Sequence, residues 1–237
     1  MSSHNISNKR IIFDHLPKTA GLAIHRWLIN NLGNELVSPH CRGEHLNLIK
    51  KYGETYPIIC GHMSFNKKGF DNRYQYATLL RHPIDRVVSW LHFVVGNDKD
   101  PALLPVVQRF INSDGQDVDK KLTAGHISNL YIKHFCCIEG GNKDGGAEKL
   151  TNALEAIKKY HVIGLYENMP QFLAELATLV GLPPPESIPR VNVTTSRPPV
   201  EQISSTLRKR IEELNELDLK FYETVLAWNA KAIVDGK

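Results

Sequence analysis

The order of apolar and polar positions along the chain alternates between two periods. Arg10–His15 (RIIFDH) is a short run rich in isoleucine, which predicts a buried parallel strand. Gly21–Asn31 then changes to helical spacing, with Leu22, Trp27 and Leu28 apolar and Arg26 and Asn30 polar, and Gly33 predicts its stop. Tyr56–Cys60 (YPIIC) predicts a second strand ending at Gly61-His62. Tyr76–Leu80 (YATLL) predicts a third, ending at Arg81. Pro83 opens a helix whose apolar set is Val87, Val88, Trp90, Leu91 and Val94. Leu103–Ile111 and Lys120–Phe135 read as helices, separated by the loop NSDGQD, and Glu139–Gly146 (EGGNKDGG) reads as a second loop. Lys149–Tyr160 is a helix leading into a fourth strand, Val162–Tyr166, followed by helix Met169–Val180 and its stop at Gly181. Apolar residues from Ile203 to Trp228 recur at helical spacing, as one bent helix or two.

Strand followed by helix, repeated, predicts an α/β fold with a central parallel sheet flanked by helices in three layers. Neither an internal repeat nor a linker interrupts it, so residues 1–237 are expected to form a single domain. Sheets of this kind bind ligands at the carboxyl ends of their strands. Those ends are His15–Gly21, Gly61–His62, Arg81–His82 and Tyr166–Glu167.

Composition narrows the function classes. Hydrophobic residues at 42% and charged residues at 23% describe an ordinary globular chain, not a disordered or fibrous one. A net charge of +4 leans toward an anionic ligand. Its charges are well mixed with no Lys/Arg run, so nucleic-acid binding is not expected. The opening MSSHNISNKR has no apolar signal core, and no stretch approaches the ~18 apolar residues of a membrane span; a cytoplasmic location is expected. Cys41, Cys60, Cys136 and Cys137 match neither zinc-site spacing nor a disulfide framework and are expected as free thiols.

Two strand ends carry chemistry. In PKTAG (Pro17–Gly21), Lys18 sits at a strand-to-helix turn, where backbone amides and the helix dipole favour an anion. Thr19 has a hydroxyl to donate, and small Ala20 and Gly21 let the backbone approach a ligand. The nucleotide-binding pattern G-x-x-x-x-G-K-[ST] is absent. In TLLRHPIDRVVSW, Arg81 leaves a strand with a bidentate fork suited to phosphate, and Ser89 lies two helical turns on. Arg86 reads equally as a structural ion-pair partner.

Together these stretches resemble the sulfotransferases. PKTAG is similar to their 5′-phosphosulfate loop and LR-x-P-x-x-R-x-x-S to their 3′-phosphate motif. The form HLPKTAG is similar to the carbohydrate sulfotransferases related to heparan sulfate 2-O-sulfotransferases. GHMSF (Gly61–Phe65), VIGLYENM (Val162–Met169) and VNVTTSRP carry the resemblance across the chain from Phe13 to Tyr222. It implies a P-loop-type fold and 3′-phosphoadenosine 5′-phosphosulfate (PAPS) as cofactor. Pro17, Lys18, Thr19, Ala20, Gly21 and Leu22 would hold the 5′-phosphosulfate. Arg81 and Ser89 would hold the 3′-phosphate. Arg197, with Thr194 and Thr195, would either close over the cofactor or form only a loop. The sequence departs from the common pattern at Ala20, where glycine often stands, and at Leu22-Ala23, where hydroxyl residues are frequent.

Transfer to a hydroxyl needs a base, and a histidine with an unperturbed pKa of ~6.5 suits the task. His62 follows a glycine at a strand end, and the resemblance points to the same residue. His15, His82 and His126 are its rivals, with His15 expected to order the phosphate loop. Lys18 would bind the phosphosulfate and neutralise charge on the leaving phosphate. The activity the resemblance implies is sulfuryl transfer from PAPS to a hydroxyl, of a carbohydrate first, with a protein tyrosine or a small alcohol as alternatives, and with Lys18 and His62 catalytic. Trp90, His92, His126, Asn129 and Tyr131 are candidates for the acceptor side. No metal ligand set is expected, since sulfuryl transfer moves a group of low charge and no acidic pair to hold magnesium is in evidence. Two other classes stay open: a P-loop nucleotide kinase or hydrolase, which magnesium dependence would favour, and a non-catalytic nucleotide- or glycan-binding member of the fold, in which His62 is dispensable.

Overall fold

A computed structural model describes residues 9–66, 68–96, 101–138, 145–188 and 199–234. Along the chain the elements are β1 (Arg10–Asp14), α1 (Gly21–Leu32), β2 (Cys41–Glu44), α2 (His45–Tyr52), β3 (Ile58–Ser64), β4 (Tyr74–Leu80) and α3 (Pro83–Val95). They continue as α4 (Leu104–Asn112), α5 (Lys120–Gly125), α6 (Leu130–Cys136), α7 (Gly146–Ile157), β5 (Val162–Leu165), α8 (Met169–Val180), α9 (Ser205–Leu214) and α10 (Glu216–Val234). The chain divides into two compact units, Met1–Arg81 with His134–Val191, and His82–Lys133 with Asn192–Lys237.

The first unit holds one sheet of five strands in the order β2-β3-β1-β4-β5, every pair parallel. The α/β class expected from the pattern is therefore correct. Side chains alternate between its faces, so Ile11 and Phe13 of β1, Ile58 and Cys60 of β3, and Ala77 and Leu79 of β4 share one side. Ile24, Trp27 and Leu28 of α1 and Phe172, Leu173, Leu176 and Ala177 of α8 bury that side. Each fully buried large aliphatic there contributes roughly 1.5–3 kcal/mol. On the other side, Tyr76 of β4 meets Phe70 and Tyr160, and Phe135 of α6 meets Tyr160. Asp14 points into this aromatic layer with no exposure; its Oδ2 accepts from Tyr160 Oη at 2.6 Å and His134 Nε2 at 2.7 Å. Helix-borne side chains thus cover both faces, which gives the three layers.

The second unit is helical. Val87, Val88 and Leu91 of α3, Val107 and Phe110 of α4, Leu122 of α5, and Leu207 and Ile211 of α9 form its core. Arg86 is fully buried in it: Nη2 donates to the His126 carbonyl at 3.0 Å and the guanidinium lies over the Tyr131 ring. Two side chains stitch helix ends together. Asp218 accepts from the amides of Tyr131 and Ile132, capping α6, and Asn129 Oδ1 accepts from the amides of Leu217 and Asp218, capping α10.

Two expectations need correction. The helix expected over Lys120–Phe135 is two helices, because the chain turns at Asn129 (φ 42°) and Asn129 is used as a cap. The second strand, expected over Tyr56–Cys60 with its end at Gly61-His62, runs Ile58–Ser64, so His62 lies within β3 and not at its end. Of the two forms expected for the terminal apolar stretch, the chain takes two helices, broken at Asn215, whose amide side chain donates to the carbonyls of Ile127 and Ile211. Among the described residues, no helix is long and apolar enough to cross a membrane.

Candidate active site

β1 delivers its chain end into the turn His15–Ala20, and α1 starts at Gly21. Lys18 (φ 70°) and Ala20 (φ 66°) both sit in the left-handed region, which costs a non-glycine residue roughly 1–2 kcal/mol. This is the physical reason a glycine suits position 20. Thr19 is fully buried and its Oγ1 donates to the Leu16 carbonyl at 2.8 Å. That hydroxyl holds the turn, so Thr19 has only its backbone amide to offer a ligand. The first α1 bonds run from Ala23 and Ile24 amides to the Ala20 carbonyl, and no side chain caps the helix. The amides preceding Ala23 are those a helix leaves for an external acceptor. Strain of this kind around uncapped amides fits an anionic group. Pro17, Lys18 and Ala20 are half-buried, while Leu22 turns its side chain to solvent at 37% exposure, so it too has only backbone to contribute.

Gly21 is needed for space. A Cβ there would lie 1.9 Å from His15 Cδ2 and 2.1 Å from Cγ. The His15 ring therefore lies flat against the start of α1, which fits the expectation that it orders the loop.

β4 pairs with β1 so that Thr78 lies beside Asp14. Three residues further, Arg81 meets the turn: Nη1 donates to the Lys18 carbonyl at 3.1 Å, and the guanidinium stacks over the Tyr166 ring at 4.3 Å. Arg81 is 7% exposed. Two sequence-predicted residues from separate motifs, Lys18 and Arg81, thus come together. Ser89 is buried in α3, in the second unit, and Arg197 lies outside the described residues, as do Thr194 and Thr195.

β3 pairs with β1 on the other side, Gly61 beside Asp14, which sets His62 opposite His15. His62 Nδ1 donates to the His15 carbonyl. That bond fixes the tautomer, with the proton on Nδ1 and the lone pair on Nε2. The His15 ring stacks on His62 at 4.3 Å between centroids. His15 Nδ1 and His40 Nε2 share a hydrogen bond of 2.8 Å, and the His40 ring stands edge-on to both. His25 backs His40 at 5.5 Å, with its Nε2 donating to the Ser38 carbonyl. Burial is the main force on His15, His40 and His62. It lowers His62, with the carbonyl bond pulling the other way, and His15 well below its usual value, aided by its histidine neighbours; His40 falls to about 4. Each of these three is thus pushed toward its neutral form, which keeps the His62 lone pair available to a proton.

Sequence reasoning missed His40 and the Asp14–His134 pair. His40 precedes β2, whose polar residues CRGE give no strand signal. Asp14 and His134 are 120 residues apart, and nothing local joins them. Both exert electrostatic influence on His62, Asp14 raising its pKa and His134 lowering it. Of the acceptor-side candidates, Trp90 and Tyr131 are buried in the second unit's core and Asn129 is used as a cap. Their aromatic and amide groups serve packing and capping, not an acceptor surface. His126 stacks on Trp90 at 4.4 Å, and His82 meets Tyr222 edge-on. Neither is a rival base within the first unit.

A strained turn with uncapped amides, a lysine, a buried arginine and a neutral histidine can hold an oxyanion and accept a proton nearby. A search of curated proteins found no match. The model described as the sulfotransferase family matches residues 6–223, which takes in the turn, Arg81 and His62. The chain belongs to the sulfotransferase family and is a sulfotransferase.

Proposed function

We propose that this protein, acting as one domain over residues 1–237, transfers a sulfuryl group from PAPS to a hydroxyl of a carbohydrate. The observation that carries this is the meeting of Lys18 and Arg81 on a turn whose first residue, His15, holds His62 through its carbonyl and leaves the His62 Nε2 lone pair outside that bond. The turn fits a phosphosulfate, since Ala20 caps α1 without a side-chain acceptor and Lys18 and Ala20 hold left-handed backbone there. Pro17, Lys18, Thr19, Ala20, Gly21 and Leu22 would surround it, mainly through amides, and Arg81, Ser89 and Arg197 would serve the rest of the nucleotide. When bound, PAPS supplies the sulfuryl group and a phosphate leaving group. His62 takes the acceptor hydroxyl proton at Nε2, worth roughly 10²–10⁴-fold in rate. Its Nδ1–H to the His15 carbonyl keeps the ring aimed and stabilises the imidazolium as it forms. Lys18 meets the negative charge that grows on the leaving phosphate oxygen, and only that differential contact raises the rate. The carbohydrate assignment rests on the HLPKTAG form of the loop. Cys41, Cys60, Cys136 and Cys137 are free thiols, which favours a cytoplasmic setting.

Calorimetric titration with 3′-phosphoadenosine 5′-phosphate, beside ATP with magnesium, tests the cofactor. Micromolar binding of the first alone supports the reading, and a panel of oligosaccharide acceptors then follows. Binding of ATP alone would transfer the protein to the kinase class.

A further inference from the structure

Three neighbouring strands each bring one histidine to the same end of the sheet. His15 follows β1, His62 lies in β3, and His40 immediately precedes β2. One ring nitrogen from each lies within 4.8 Å of the other two. His15 and His40 already face each other nitrogen to nitrogen at 2.8 Å. Two imidazole nitrogens on a tetrahedral zinc stand ~3.3 Å apart, given bonds of about 2.0–2.1 Å. His15 and His40 need to part by roughly half an ångström to admit a cation, and His62 needs to close in by about an ångström or more.

The surroundings favour such a cation. Imidazole nitrogens suit zinc, nickel and copper better than magnesium or calcium. His62 donates its other ring N–H to a backbone carbonyl, the outer contact that fixes the tautomer of metal-bound histidines. His25 supports His40 from behind without joining the set. His40 and His62 are only partly buried, which leaves an approach from solvent, whereas His15 is the buried anchor. Lys18 and Arg42 act electrostatically on the cluster and oppose added positive charge, and Asp14 offsets them. Among the described residues, this is the one group of three or more histidine, cysteine or acidic side chains arranged in this way.

We propose that His15, His40 and His62 form a binding site for a divalent transition-metal cation of the zinc class, with water completing its coordination, and that an occupied site silences the enzyme. The cation and the acceptor proton compete for the same lone pair on His62. Binding stands on the geometry alone, whereas silencing rests on the reading of His62 as the base.

The test uses the full chain, stripped with a chelator and then titrated with Co²⁺ followed by Zn²⁺. Cobalt bound to three imidazoles and water should give visible ligand-field bands that saturate at one equivalent and that zinc abolishes. His40→Ala should weaken binding by more than the roughly 10–100-fold typical of losing an outer-shell partner. His62→Gln should do the same, which covers the case that either variant is poorly folded. Absence of bands in the native protein, or equal affinity in well-folded His40→Ala, overturns the site. Zinc should also abolish turnover, reversibly with chelator, while leaving binding of 3′-phosphoadenosine 5′-phosphate unchanged. Full turnover with one zinc bound overturns the silencing. If no acceptor is turned over at all, the functional reading fails, yet the cobalt titration still decides the site.

Discussion

Replacing Gly21 by alanine tests whether the His15 ring and the start of α1 truly occupy one space. The new Cβ would sit 1.9 Å from His15 Cδ2, 2.1 Å from Cγ and 2.4 Å from Nε2. Carbon atoms at rest approach to about 3.5 Å, so the ring must retreat by ~1.5 Å. It has little room, with His62 stacked at 4.3 Å and His40 bonded at 2.8 Å. Overpacking costs about 1–3 kcal/mol, and losing the His40 bond adds about 1 kcal/mol. Alanine in a helix gains up to about 1 kcal/mol over glycine, which acts in the opposite direction. The net loss is about 1–3 kcal/mol, a fall in melting temperature of about 2–12 °C for a chain of this size. Thermal denaturation followed by circular dichroism should be run on Gly21→Ala, His15→Ala and the double variant. With His15 truncated the clash disappears, so Gly21→Ala should be neutral or stabilising in that background. An equal loss in both backgrounds means that the two residues do not couple, and the steric account of Gly21 is then wrong.

Other side chains give further expected outcomes. Ala20→Gly relieves the left-handed strain, offset in part by unfolded-chain entropy, and should raise stability by about 1 kcal/mol in the same melting experiment. Asp218→Ala leaves Arg86 buried beside two uncapped amides and should cost about 3–5 kcal/mol, read by urea denaturation; a loss under 1 kcal/mol would show the network to be slack. Burial pushes the Cys41 thiol up to about 11, so at pH 8 a thiol reagent should label Cys137 well before Cys41 and Cys60, as peptide mapping would report. Lys18→Ala and His62→Ala should each lower turnover about 10²-fold or more, the latter with unchanged affinity for 3′-phosphoadenosine 5′-phosphate. Arg81→Ala should weaken that affinity, and a normal value would remove Arg81 from the nucleotide site.

The sheet and its anion-binding turn were legible because their signals are local. RIIFD, YATLL and VIGL are apolar runs that bury both faces, and PKTAG and Arg81 punctuate two of them. The end of α8 at Gly181 is equally local, a left-handed stop written in one residue. What escaped depends on distance. β2 is an edge strand, so CRGE can be polar and still pair with β3. His40 enters the histidine cluster only because β2 lies beside β3, a neighbour relation that no short window contains. Trp90, Asn129 and Tyr131 misled for the converse reason: residue types common in sugar sites are also core and capping residues, and only burial separates the uses.

The sheet order carries a consequence for how the chain is made. β1 to β4 are complete once Leu80 has been added, but β5, which pairs with β4, begins at Val162. At synthesis rates of about 5–20 residues per second, the flank of β4 waits about 4–16 s for its partner. The apolar side that α8 closes waits longer still. Throughout that interval the growing chain presents an open strand flank and an uncovered apolar surface. The nascent protein should therefore depend on holding chaperones from β4 onward, and release from them should track the emergence of β5 and α8.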